Sequence, residues 1–276
     1  MKKTILLSLI LVLIATICML TACNNSATPI SRAWANNEVI AYDVYDTAIG
    51  EVRVKVGEAK FTTTSNLTDA DKAISADANA KVTVEGKKTD VCEYKTVFYA
   101  KTQTVLCYEK NFTDLKNEKN NYVLKAKHDG KKYSYEITYP NDESKNKSGD
   151  LKVGASGYTD EEYIYFYIRC YDLSNVPSSI TVADPFSDEV IKLASKVTST
   201  KAAVAVGTDF FGSDTLECTQ VAITRTETPV GAPMYAYYYQ SETSYGDYSI
   251  IKSNKIPVQI TENNLTYILK EFSATK

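Results

Sequence analysis

Histidine is nearly missing from this chain: among 276 residues only His128 carries an imidazole. A Ser–His–Asp triad would have to be built on that residue, and it sits in the turn-like run "HDG", a poor place for a general base. Beyond residue 23, close cysteine pairs are missing too. Cys92, Cys107, Cys170 and Cys218 stand well apart, whereas zinc sites gather His and Cys at short spacing. No glycine-rich loop opens a helix, so a phosphate cradle is not expected. No basic cluster offsets a formal charge of −3, which makes nucleic acid a poor partner. From residue 38 onward no apolar run is long enough to cross a bilayer as a helix. The sequence therefore predicts no catalytic residue, no metal ligand and no cofactor.

What is present begins at the N-terminus. Lys2 and Lys3 precede an uncharged, mostly apolar stretch from Ile5 to Leu20, short for a membrane span but suited to a signal-peptide core. Leu20, Thr21, Ala22 and Cys23 follow. This order resembles the bacterial lipobox, in which the cysteine thiol receives diacylglyceryl and cleavage occurs directly before it. Cys18 does not fit, because bulky Ile17 stands where a small residue is needed. The expectation is a lipoprotein signal peptide over 1–22, a lipid on Cys23, and a polar tether over 23–37. Two acyl chains anchor firmly where one binds only marginally. The protein is thus expected outside the cytoplasm, on the outer face of a bacterial membrane.

Alternation dominates the remainder. In "KKYSYEITY", Tyr133, Tyr135, Ile137 and Tyr139 share one face, a period-two strand pattern. With "YVLKAKH" before it, Asp129-Gly130 predicts a hairpin closed by a type I′ turn. Further strands are expected near 38–46, 51–56, 58–64, 81–85, 91–99, 104–110, 162–172, 201–206, 215–226, 234–242, 248–253, 256–261 and 265–272. In "EYIYFYIRCY" this reading puts Tyr163, Tyr165, Tyr167 and Tyr171 outside, and Ile164, Phe166, Ile168 and Cys170 inside. One helix is expected from Asp184 to Val197, with Asp184 as N-cap and Pro185 at the first helical position. Phe186, Val190, Leu193 and Val197 would form its apolar stripe. The stretch 68–80 reads as an inserted loop and 140–150 as a turn-rich connection. The predicted fold is mainly β: one large curved antiparallel sheet, a half-barrel over 38–276, with one helix on its concave side.

The runs "NEVIAYDVY", "IGEVRVKV", "LECTQVAIT", "APMYAYYY", "KIPVQI" and "LTYILKEF", in this order, resemble uncharacterised bacterial envelope lipoproteins. Their fold is an incomplete β-barrel similar to the Lol lipoprotein carriers. The resemblance implies a non-enzymatic, monomeric protein that binds a lipid or other apolar ligand between sheet and helix. Tyr135, Ile137, Phe166, Ile168, Phe186, Val190 and Leu193 are the ligand-binding candidates. Two other readings stay open. Tyrosine-rich strands could form an exposed interaction surface, or paired carboxylates could serve an envelope hydrolase. The four cysteines after Cys23 are expected as free thiols.

Overall fold

The computed structural model describes residues 37–46, 53–65, 81–89, 91–100, 102–153, 158–159, 162–210, 213–226, 233–241 and 254–274. The expected signal peptide, Cys23, nearly all of the tether, the 68–80 insert and the 248–253 strand lie outside these residues. So does Val52 of the expected 51–56 strand.

The described chain is mainly strand. In order these are β1 (Glu38–Asp46), β2 (Val54–Ser65), β3 (Lys81–Lys88), β4 (Cys92–Tyr99), β5 (Val105–Phe112), β6 (Tyr122–His128), β7 (Tyr133–Thr138) and β8 (Lys147–Leu151). They continue as β9 (Tyr158–Thr159), β10 (Ile180–Asp184), β11 (Glu189–Phe210), β12 (Ser213–Arg225), β13 (Met234–Ser241), β14 (Asn254–Glu262) and β15 (Leu265–Ala274). A single sheet contains them all, in the order β8-β7-β6-β5-β4-β3-β2-β1-β15-β14-β13-β12-β11-β10-β9. Every pairing is antiparallel except the short one between β9 and β10. The sheet is nearly closed and barrel-like. Register shifts in β1, at Ala41/Tyr42 and Val44/Tyr45, mark bulges in the strand that joins the two halves. Bulges of this kind bend a strand and let a sheet curl.

Alternation puts one face of each strand into a common core. Ile40, Tyr42 and Val44 of β1, Val82 and Val84 of β3, Tyr133, Tyr135 and Ile137 of β7, and Ile256, Val258 and Ile260 of β14 are all buried in it. Burial at this level contributes about 1.5–3 kcal/mol for each large side chain. Two glycines make room for rings on this face. Tyr94 lies over Gly86 and Tyr135 over Gly149, where an added Cβ would come within 2.3 and 2.9 Å of the ring or its hydroxyl.

Two segments exchange the structures that their patterns predict. The stretch read as a strand, 162–172, contains the only α-helix among the described residues, α1 (Ile164–Arg169). All six of its residues are buried, as are Tyr163, Cys170 and Tyr171. The tyrosines expected outside are therefore core residues. Six residues are too few to hold a helix in water, and its N-cap Tyr163 makes no side-chain cap. Packing holds it instead: Phe166 against Phe61 of β2, Tyr163 against Phe98 of β4, and the Tyr165 carbonyl accepting from Tyr238 of β13.

The expected helix at 184–197 is a hairpin. Ala183 pairs with Val190 and Asp184 with Glu189, leaving residues 185–188 as the turn. Asp followed by Pro suits the first two positions of a β-turn as well as a helix start. Asp184 accepts from the backbone amides of Phe186 and Ser187, and Asp188 takes a left-handed φ of 60°. In the β6–β7 hairpin only Gly130 has positive φ, and Asp129 N–H donates to the Lys132 carbonyl. The connection is thus a four-residue loop, not the expected two-residue type I′ turn. The 140–150 connection also contains most of β8, which forms one edge of the sheet.

Candidate functional site

The β10–β11 turn spans the gap between the two ends of the sheet. The Lys147 ammonium, from β8, lies 2.8 Å from Asp188 and also donates to the Pro185 and Phe186 carbonyls. The Tyr135 hydroxyl donates to Asp188, and the Phe186 ring meets Tyr122 edge-on at 5.0 Å. Lys147, through its bond to Asp188, holds that carboxyl below its usual pKa. One lysine and one aspartate thus latch the turn to the far edge.

Beneath this latch lies a cavity of about 390 Å³. Its apolar wall is built by Leu124, Ile164, Val182, Leu193, Ile223 and Met234, with Pro185 and Phe186 on the turn side. Four charged side chains also border it: Lys110, Asp184, Arg225 and Glu262. Its size and mostly apolar lining fall within the range of small-molecule sites.

A cluster of buried charges stands at its margin. Glu162, two residues before α1, pairs with Lys88 at the end of β3 and, at 2.6 Å, with Lys110 of β5. Lys88 also lies 3.3 Å from Glu262, which ends β14. Burial alone would raise the Glu162 pKa, but Lys88 and Lys110 outweigh it and hold the carboxyl at about 2. Burial likewise pulls the two lysines down, and Glu162 more than restores them.

A larger hollow of about 990 Å³ lies elsewhere, lined by Lys60, Glu85, Lys87, Lys95 and their neighbours. Several of its charges meet in exposed pairs such as Lys95–Glu85 at 2.8 Å and Lys270–Glu58 at 2.6 Å. Such pairs are ordinary solvated strand faces.

The structure separates the predicted ligand-binding residues. Phe186 and Leu193 border the cavity. Val190 has the opposite strand parity from Leu193 and only partly packs on the core; its neighbour Ile191 is the lining residue. Tyr135 serves the latch. Ile137, Phe166 and Ile168 are buried in the core and do not line the cavity, whereas Ile164 of the same helix does. Sequence reasoning missed Lys110, Glu162, Arg225 and Glu262, because isolated charges on alternating strands look like solvent-facing positions. Cys92, Cys107, Cys170 and Cys218 are unpaired; Cys107 lies opposite Val97 and Cys92 opposite Phe112, far out of register for a bridge.

The fold and cavity define a class, an antiparallel barrel-like sheet with an interior pocket closed by a hairpin turn. No family model matches the chain, and no curated protein matches it. Among solved structures it is similar to a β-barrel-like protein of the domain of unknown function DUF1849 from Brucella abortus. That likeness has 13% identity and a TM-score of 0.44, over 86% of this chain and 97% of the other. It is also similar to a protein from Parabacteroides distasonis provisionally described as a lipoprotein, with 12% identity and a TM-score of 0.29 over 89% and 99%. Neither is described as a Lol carrier, and neither likeness assigns this chain a function.

Proposed function

We propose that this chain is a lipid-anchored protein of the bacterial envelope, held to the membrane through Cys23, that binds an apolar or amphipathic molecule and carries out no reaction of its own. The observation that carries this reading is the cavity beneath the Asp184–Asp188 turn. A wall of aliphatic side chains left around open space is stabilised by an apolar occupant. The latch supplies the means of entry: the contacts of Lys147 with the turn, one tyrosine hydrogen bond and one edge-on ring contact are what need part. The binding residues are Leu193, Phe186, Ile164 and Met234; Tyr135 acts through Asp188.

Both rival readings are less well supported. An interaction surface built on Tyr163, Tyr165, Tyr167 and Tyr171 is not supported, since all four are buried. A hydrolase finds less support: of the acids on the cavity, Glu262 pairs with Lys88 and Asp184 caps its own turn. The neighbouring Glu162 is displaced downward by two lysines, whereas glycoside hydrolysis needs one acid with a raised pKa.

Native mass spectrometry of the full chain, extracted gently from membranes, tests the reading. A retained small apolar species is expected, and Met234→Trp, which fills the cavity, should abolish it. Retention that survives Met234→Trp would place the molecule elsewhere, and a protein that never carries a ligand would end the proposal. The anchor is tested separately: Cys23→Ala should release the protein from membranes or leave an unprocessed precursor.

A further inference from the structure

The charged side chains around the cavity are not equivalent. Lys110 is engaged by Glu162 and Glu262 by Lys88. Asp184 is occupied by its own turn, accepting from Phe186 N, Ser187 N and the Ser187 hydroxyl. Arg225 alone has no ion-pair or hydrogen-bonding partner among the described residues, although it is half-buried at the end of β12. A guanidinium in that position offers a planar fork of donors suited to carboxylate or phosphate. Apolar Ile223 on the same strand, Leu193 and Met234 lead from it into the cavity.

We infer that the cavity takes a single-chain amphiphile with an anionic head, the head on Arg225 and the hydrocarbon chain between β11–β13 and α1. This rests on the binding function proposed above and specifies its ligand class. Charge complementarity gives the sign, because Arg225 is the one bordering charge left unanswered. The volume gives the chain number: about 390 Å³ suits one acyl chain and not the two of a membrane phospholipid. A fatty acid and a lysophospholipid share this chemistry and differ in the head.

The full chain in phosphatidylcholine vesicles can be offered photoactivatable diazirine palmitate, the matching diazirine alcohol or a diazirine lysophosphatidic acid. Labelled peptides are then mapped by mass spectrometry. The acid should label residues 180–197, 219–226 and 233–238 about tenfold more than the alcohol, a modest yield for one charge-assisted contact. Arg225→Gln should remove that preference and Arg225→Lys keep part of it. Arg225 has no partner to lose, so both variants should melt like the parent. Stronger labelling by the lysolipid than by palmitate would assign the head as phosphate, and the reverse as carboxylate. Equal labelling by acid and alcohol, or a preference unchanged in Arg225→Gln, would overturn the anionic head while leaving apolar binding intact. No labelling of the cavity by any probe would overturn the binding function itself.

Discussion

The two ends of α1 are pinned by buried ion pairs of different character. At its C-terminus Arg169 forks onto Glu38 of β1, with Nη1–Oε1 at 2.6 Å and Nη2–Oε2 at 3.1 Å, and neither side chain has any exposure. Before its N-terminus, Glu162 is shared between Lys88 and Lys110, whose side chains remain 11–13% exposed. The first pair is sealed and bidentate; the second is a chain of single contacts beside open space. Burying a charge pair is rarely a net gain against apolar packing, yet removing one partner is costly. The sealed end fixes where α1 docks. The wetter end borders the cavity, and there the charges answer each other.

The sealed pair should give the largest effect. Arg169→Met leaves Glu38 buried without its partner and should cost about 3–5 kcal/mol in denaturant unfolding. Adding Glu38→Leu should recover most of that loss; a double variant as unstable as the single one would show that shape, not charge, was lost.

The wet end should respond to acid. The folded pKa of Glu162 is about 2 against an ordinary 4.5. Its stabilisation is therefore complete above pH 4.5 and fades as the pH falls toward 2, by on the order of 3 kcal/mol. Thermal melts of the parent and Glu162→Gln across that window should converge as the pH falls, and parallel curves would contradict the assignment.

A third buried cation sharpens the contrast. Lys255 of β14 donates to the Tyr171 carbonyl just past α1 and forms no salt bridge among the described residues, with only the more distant charge of Asp172 favouring its protonated form. Burial lowers its pKa from 10.5 to about 8. The folded protein gives up this proton before the unfolded chain does, so the contribution of Lys255 should rise from pH 8, by about 2 kcal/mol near pH 9.5. The buried Cys92, Cys170 and Cys218 thiols trend the opposite way, so the rise is read as the difference between parent and variant. Lys255→Met should lose that rise.

The smallest effect on stability belongs to the latch. Lys147 and Asp188 are 32% and 55% exposed. Lys147→Ala should cost under about 1 kcal/mol but speed ligand exchange in stopped-flow mixing with a fluorescent fatty acid. Unchanged exchange would show that the turn is not the entrance.

Much of the sheet was legible because a half-buried strand writes its pleat into the sequence: β1, β3, β4, β6 and β7 all follow alternation. The two exchanged segments show where that signal fails. In α1 every side chain is buried, so no polar stripe reveals a 3.6-residue period, and tyrosines between aliphatics imitate alternation. At Asp184–Asp188, helix start and β-turn use the same residues, and only the pairing partner decides. Val190 and Leu193 fit a helical stripe by spacing, but on a strand they face opposite sides. The charged margin of the cavity was illegible for another reason: Lys88, Lys110, Glu162 and Glu262 meet only after four distant segments come together.

The pairing of β1 with β15 has a consequence for how the molecule is made. Glu38 lies opposite Ala274 and Asp46 opposite Leu265, so the strand at the middle of the sheet must wait for nearly the whole chain. Every other antiparallel pairing joins strands consecutive in sequence. Hairpins can form early and locally, but the seam is a contact of very high sequence separation, and such topologies fold slowly. The sheet cannot lock until β15 docks on β1, so the hairpin arms β2–β8 and β10–β14 form ahead of the seam that joins them.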